Sequence, residues 1–212
     1  MLGNLYILTA PSGAGKTTLA EQLIASTENI QRSVSYTTRP PRPGEKNGVD
    51  YWFVDQETFE NMAIKNDFLE FAKVHDYLYA TSLEQTQKYL NSGIDLILTI
   101  DWQGAQQVRR VLKDAQHIKN KAISIFILPP SKKILRQRLQ SRNQDNADVI
   151  ENRLAAAAGE ISHCTEFDYL IMNDALEKAL QDLQAIVRAN RLCETKQSLK
   201  YKELLAEWLE AQ

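Results

Sequence analysis

Four short runs of apolar residues recur along the chain at 5–10, 96–100, 123–128 and 169–172. Between them lie stretches in which apolar residues return every three or four positions, at 18–25, 105–112, 131–139 and 176–189. A strand that is apolar without interruption is covered on both faces, and alternation of such strands with helices predicts a parallel sheet between helical layers. The expected fold class is therefore α/β.

Residues 33–91 break this rhythm. "DYWFV" and "FLEFAKV" alternate with period two, which predicts half-exposed antiparallel strands, and "TTRPPRPG" is turn-forming chain. Ser82 followed by Gln85 has the spacing of a capping box and predicts a helix to about Tyr89. This region reads as a small α+β insertion over the ligand crevice of the α/β core. Further on, an arginine-rich helix end joins a long helix through the polar "NQDNAD" turn. The last segment, "YKELLAEWLE", places Leu204, Leu205, Trp208 and Leu209 on one side and is expected to dock on the chain's own core, with a partner-binding helix as the alternative.

With 212 residues, one self-sufficient core is expected. A formal net charge of −2 argues against a dedicated nucleic-acid binder, although a local basic pocket remains compatible with it. The apolar runs are strand-length, too short to span a bilayer, and the first residues lack the basic stretch of a secretory leader. A soluble, cytoplasmic chain is expected, either monomer or homo-oligomer. Cys164 and Cys193 fit no metal-ligand spacing and read as reduced thiols, while His75, His117 and His163 are scattered without ligand spacing.

"TAPSGAGKTT", residues 9–18, follows the first apolar run and precedes a helical pattern, the context a phosphate-cradling loop requires. Ser12, Gly13, Ala14, Gly15, Lys16, Thr17 and Thr18 would surround the phosphates of a nucleotide. The glycines let backbone N–H groups converge on an anion, and the following helix adds its dipole. Lys16 would reach the β- and γ-phosphates, and the Thr17 hydroxyl would ligate Mg²⁺. Ala10 replaces the pattern's first glycine, which is tolerable if its φ is negative. Asp101 ends the apolar run of "LILTIDWQG" and would hold Mg²⁺ through water. Arg39 and Arg42 lie three apart in polyproline-favouring chain and would project together to capture a phosphate; a solvated basic loop is the plain alternative. Arg136, Arg138, Arg142 and Arg153 flank the polar turn and could bring charge to a transferring phosphoryl group, or simply decorate a surface helix.

Taken together, the loop, "SYTTRPPRPGEKNGVDYWFV", "IDWQGAQQVR" and "IFILPPS" make the chain resemble a guanylate kinase over nearly its whole length. The resemblance implies a single domain over 1–212, with a P-loop kinase core at 1–33 and 92–212, a lid at about 138–153 and a GMP-binding subdomain at 34–91. It also implies ATP and GMP, with dGMP as a further acceptor, as substrates in purine metabolism, with Mg²⁺ as cofactor and neither nucleic acid nor membrane as partner. Ser35, Arg39, Arg42 and Tyr51 match positions that hold the GMP phosphate, joined by Tyr79. Glu70 and Thr81 match positions that read guanine, and Asp101 also falls among the GMP residues. Arg138, Arg142 and Arg153 match lid arginines on the ATP phosphates, with Lys16 the fourth catalytic cation, and Asn173 lies in the segment near adenine. Thr99, Ala80 and "SRN" at 141–143 depart from the family's usual Asp, Gly and Gly-Arg-Gly. Two other readings stand beside this one: a catalytically inactive module of the same fold that binds phosphopeptides, and a P-loop kinase for another phosphorylated acceptor.

Overall fold

A computed structural model describes residues 2–74, 76–114, 122–141 and 147–210. In chain order the first half holds β1 (Leu5–Thr9), α1 (Lys16–Ser26), β2 (Ile30–Arg32), β3 (Tyr36–Thr37), β4 (Trp52–Phe53), α2 (Gln56–Ile64), β5 (Phe68–Val74), β6 (Tyr77–Ser82) and α3 (Leu83–Asn91). The second half holds β7 (Asp95–Thr99), α4 (Trp102–Asp114), β8 (Ile123–Leu128), α5 (Lys132–Gln140), α6 (Ala147–Ile161), β9 (Tyr169–Met172), α7 (Leu176–Arg191), α8 (Glu194–Lys200) and α9 (Lys202–Glu210).

Five strands form a wholly parallel sheet in the order β2-β7-β1-β8-β9. Successive side chains of a strand point to opposite faces, and each face of this sheet is covered. Tyr6, Leu8, Ile97, Ile125 and Ile127 meet Leu19 and Leu23 of α1 and Leu183 and Val187 of α7. Leu5, Ile7, Leu96, Leu98 and Phe126 meet Leu90 of α3 and Ala105 and Val108 of α4. This is the three-layer α/β arrangement that the apolar runs predict. The runs of β1, β7 and β8 are uninterrupted because both their faces are dry, whereas β9 at the edge buries only Ile171.

β3 to β6 build a second sheet in the order β4-β3-β6-β5. β5 pairs antiparallel with β6, as the alternation of "FLEFAKV" predicts, but "DYWFV" departs from expectation. Only Trp52–Phe53 is strand, and it pairs parallel with β3. The cause is local: Asn47 and Asp50 fold the preceding chain on itself, accepting from the N–H groups of Phe53 and Lys46. The capping box is half-formed. Ser82 Oγ accepts from Gln85 N–H at 3.3 Å, but the Gln85 side chain turns instead to the Trp52 indole N–H and the Tyr36 hydroxyl. Both aromatics are partly buried groups that need a partner, and Gln85 thereby ties α3 to the second sheet.

The C-terminal expectation fails. Leu204, Leu205, Trp208 and Leu209 of α9 are all exposed, up to 73% for Trp208. Ala179, Leu183 and Val187 of α7 already cover one face of the sheet, and no α9 residue joins that core cluster among the described residues. No helix of the described residues is long and apolar enough to cross a membrane.

Candidate nucleotide cleft

The sequence running out of β1 makes a loop whose backbone is set by two left-handed glycines, Gly13 at φ 87° and Gly15 at φ 97°. Gly15 is the N-cap of α1 and supplies no side-chain acceptor, so the first N–H groups of the helix stay open to an external anion. Ala10 is buried in the core beside Ala14 and does not have positive φ, so its methyl costs no backbone strain. Side chains enforce both glycines: a Cβ on Gly13 would meet Leu135 and Leu139 of α5 at 3.0 Å, and one on Gly15 would collide with the Asn173 amide.

Asn173 is 3% exposed, and its Nδ2 donates to the Ala14 carbonyl at 2.7 Å. The side chain thus braces the loop from beneath. Its Oδ1 and the neighbouring Arg138 Nη1 are buried without a partner among the described residues, while Arg138 Nη2 donates to the Asn173 carbonyl at 2.9 Å. Asn173→Leu keeps the volume but leaves the Ala14 carbonyl unpaired, at a cost of about 1–3 kcal/mol. Thermal unfolding should show a Tm lower by roughly 2–4 °C for each of those kcal/mol, with weaker ATP binding alongside.

Lys16 extends from the first turn of α1 to the Ile100 carbonyl, 3.1 Å away, an acceptor it shares with Thr9 Oγ1. Burial pushes its ammonium below the ordinary lysine value, and the carboxylates of Asp101, Glu160 and Glu70 oppose that shift. Asp101 leaves β7 and caps α4, its Oδ1 accepting from Gly104 N–H at 2.8 Å. Gly104 lets that first turn approach Glu70: a Cβ there would lie 3.1 Å from Glu70 Oε2.

Glu70 and Thr81 are cross-strand partners on β5 and β6, and the Thr81 hydroxyl donates to Glu70 Oε1 at 2.7 Å. Only 7% of Glu70 is exposed. Burial pushes its carboxyl up to about 7, against the opposing Thr81 hydrogen bond. A buried carboxylate has the acceptor capacity to receive a pair of N–H donors.

These groups share one cleft of about 590 Å³. Of the residues the sequence points to, Ser12, Gly13, Gly15, Lys16, Thr17, Thr18, Ser35, Tyr51, Glu70, Tyr79 and Asp101 line it. Ala14, Thr81 and Asn173 stand behind the lining. Arg39 and Arg42 do not line it either. A turn closed by Glu45 N–H on the Arg42 carbonyl, with Gly44 at φ 90°, ends the stretch and brings the Glu45 carboxylate back onto the Arg39 guanidinium and the Arg42 N–H. Arg39 is buried under the Tyr51 ring, with Nη2 on both Glu45 oxygens at 2.7 and 2.9 Å and Nη1 on the Pro40 carbonyl at 2.8 Å. Arg42 is exposed. Arg138 and Arg153 sit outside the lining, Arg136 pairs with Glu151 between α5 and α6, and Arg142 falls outside the described residues. His75 and His117 do so as well, and His163 pairs with Glu166 at 2.6 Å.

The guanylate kinase family model matches residues 2–190. A guanylate kinase of Methylobacillus flagellatus is 53% identical over 209 residues, covering 99% of this chain and 100% of its own. One from Legionella pneumophila (strain Lens) is 50% identical, covering 99% and 97%. The chain belongs to the guanylate kinase family. A crystal structure of guanylate kinase from Anaplasma phagocytophilum superposes with a TM-score of 0.69 at 33% identity, covering 92% of this chain and 89% of that one. The α/β core with its small second sheet is therefore the fold of this family, and the chain is a nucleoside monophosphate kinase by descent.

Three charged residues of the cleft escape sequence reasoning: Arg32, Asp50 and Glu160. Arg32 ends a strand of only three residues, too short to show a pattern. Glu160 enters from the last turn of α6, where the Trp102–His163 stack, 3.6 Å between rings, pins the adjoining chain to the start of α4. A signal existed for it, since it lies two helical turns after Arg153 and so on the same face.

The residues present fit Mg²⁺ delivered with a nucleotide. No group of three or more His, Cys, Asp or Glu among the described residues is arranged to hold a metal, whereas the Thr17 hydroxyl and the Asp101 carboxylate both face the cleft that the phosphate loop lines. Mg²⁺ typically keeps several waters and takes few protein ligands beside substrate phosphates.

Proposed function

We propose that the cleft binds ATP at the phosphate loop and GMP against the second sheet, and transfers the γ-phosphoryl from one to the other. What supports this most is that a single cleft joins Lys16 and the open N–H groups of α1 to a buried carboxylate, Glu70. A phosphate oxygen of GMP forms a bond to the γ-phosphorus in line with the breaking bond to the β,γ-bridging oxygen, which leaves with the electron pair as ADP; the other product is GDP. The acceptor is already an anion, so no side chain needs to remove a proton. The protein's work is to align two polyanions and exclude water.

Lys16 would carry charge at the β,γ-bridge, helped by the loop N–H groups from Gly13 to Thr18. Thr17 and, through water, Asp101 would hold Mg²⁺, which when bound neutralises the β- and γ-phosphates. Ser35, Tyr51 and Tyr79 would hold the GMP phosphate, with Arg39 and Arg42 swinging in as residues 34–91 close. Arg138, Arg142 and Arg153 would arrive with the lid at 138–153, and Asn173 would keep the loop in shape beside adenine. Glu70 would accept from guanine N1–H and the exocyclic amine, with Thr81 orienting it; adenine offers no such donor pair. Because the sugar is not read by these contacts, dGMP is the second acceptor. The cytoplasm, where both substrates occur, is the compartment this chemistry calls for. Lys16 and Thr17 in the cleft leave no ground for an inactive binding module. Incubation with Mg²⁺, ATP and GMP should yield ADP and GDP in equal amounts on chromatography; ADP without GDP would refute the acceptor.

A further inference from the structure

Among the described residues, four carboxylates line the cleft (Asp50, Glu70, Asp101 and Glu160) and only two cations, Lys16 and Arg32. A cleft with that balance repels a nucleotide monophosphate unless a cation receives it. Lys16 belongs to the phosphate loop and is held on Ile100. Arg39 is engaged by Glu45 and Pro40 and does not line the cleft, and Arg42 lies outside the lining. That leaves Arg32.

Arg32 is the last residue of β2, at the carboxyl end of the sheet's edge strand, paired in register with Ile97. Ligands of open parallel sheets bind beyond the carboxyl ends of the strands. Its side chain is exposed, and no hydrogen bond or ion pair engages the guanidinium among the described residues. The chain continues through Ser33, whose N–H donates to the Ile97 carbonyl at 3.0 Å, to Ser35, whose carbonyl accepts from Trp52 N–H at 2.9 Å. Both serines line the cleft with Arg32, so an unpaired guanidinium and two hydroxyls stand together at its acceptor end.

We propose that Arg32 is the docking cation for the acceptor's phosphate: it captures the monophosphate of the incoming nucleotide beside Ser33 and Ser35 in the open cleft, ahead of Arg39 and Arg42. The planar fork of arginine matches phosphate oxygens two at a time. The proposal rests on the assignment of GMP to the second sheet. It assigns Arg32 to binding, not to the phosphoryl step, so KM and kcat should separate.

The test compares wild type, Arg32→Gln and Arg32→Lys by steady-state kinetics, and by calorimetric titration with GMP in the absence of ATP. Arg32→Gln should raise KM for GMP about tenfold and weaken GMP binding by the same factor, with the effect discounted for an exposed charge. Turnover at saturation, KM for ATP and Tm should stay at wild-type values, and Arg32→Lys should recover most of the loss. The salt dependence of GMP binding should be shallower in Arg32→Gln. Unchanged GMP affinity in Arg32→Gln, or an equal loss of ATP affinity, overturns the proposal. Failure of the wild type to bind GMP would instead overturn the acceptor assignment beneath it.

Discussion

Lys16→Ala should lower turnover by at least the order of 10²–10³ that follows removal of a preorganised transition-state donor. Its ammonium enters the cleft from the first turn of α1 and is already desolvated, so no reorganisation is needed when charge builds on the leaving oxygen. Removing it also leaves Asp101, Glu160 and Glu70 without the cation that faces them, and the cleft then repels ATP as well. The fold should survive, because Lys16 makes one hydrogen bond to a carbonyl that Thr9 Oγ1 also reaches. Circular dichroism and the thermal melt should match wild type while the coupled assay falls silent. Near-normal turnover would remove the phosphate loop from the mechanism.

Glu70→Gln should reduce kcat/KM for GMP by on the order of 10²–10⁴, since two charge-assisted hydrogen bonds contribute about 1.5–3 kcal/mol each. KM for ATP should hardly move. The pH dependence carries its own signature. Burial raises the Glu70 carboxyl from 4.5 to about 7, yet the base-reading form is the carboxylate. GMP affinity should therefore improve as pH rises through 7, with a proton released on binding. The GMP phosphate also titrates near pH ~6, so the diagnostic quantity is the difference between wild type and Glu70→Gln across the pH series.

Stability runs the other way. A carboxyl whose folded value lies above its unfolded value stabilises the fold below about 4.5, and that contribution is lost as pH rises through about 7. Glu70→Gln should thus melt higher than wild type near pH ~8, and the gap should close as the pH falls below about 5. A site that gains stability when its carboxylate is neutralised is one whose charge is kept for binding.

The main sheet was legible because its central strands β1, β7 and β8 are dry on both faces. The apolar runs at 123–128 and 169–172 coincide with β8 and β9 residue for residue, although β9 at the sheet's edge buries only Ile171. β2 has one buried residue in three, and α2 buries only Phe59, so neither leaves a periodic trace. α9 shows the converse error, an apolar stripe in sequence that meets no core in the fold. The phosphate loop could be read because its parts are contiguous. Glu70 and Thr81 are eleven residues apart, and only strand pairing makes them one receptor; family resemblance supplied what periodicity could not. Arg39 illustrates the remaining gap. Its spacing to Arg42 suggested a joint phosphate clamp, but Glu45, brought back by a glycine turn, claims the Arg39 guanidinium first.

The central claim is that one cleft reads guanine with Glu70 while the phosphate loop presents ATP. ADP release measured with Mg²⁺ and ATP across GMP, dGMP, AMP, CMP and UMP tests it most directly. The account predicts turnover with GMP and dGMP, and kcat/KM for AMP lower by on the order of 10⁴, as expected when a site's buried hydrogen-bonding groups are left unpaired. Comparable rates with AMP, or turnover confined to a pyrimidine monophosphate, would contradict it.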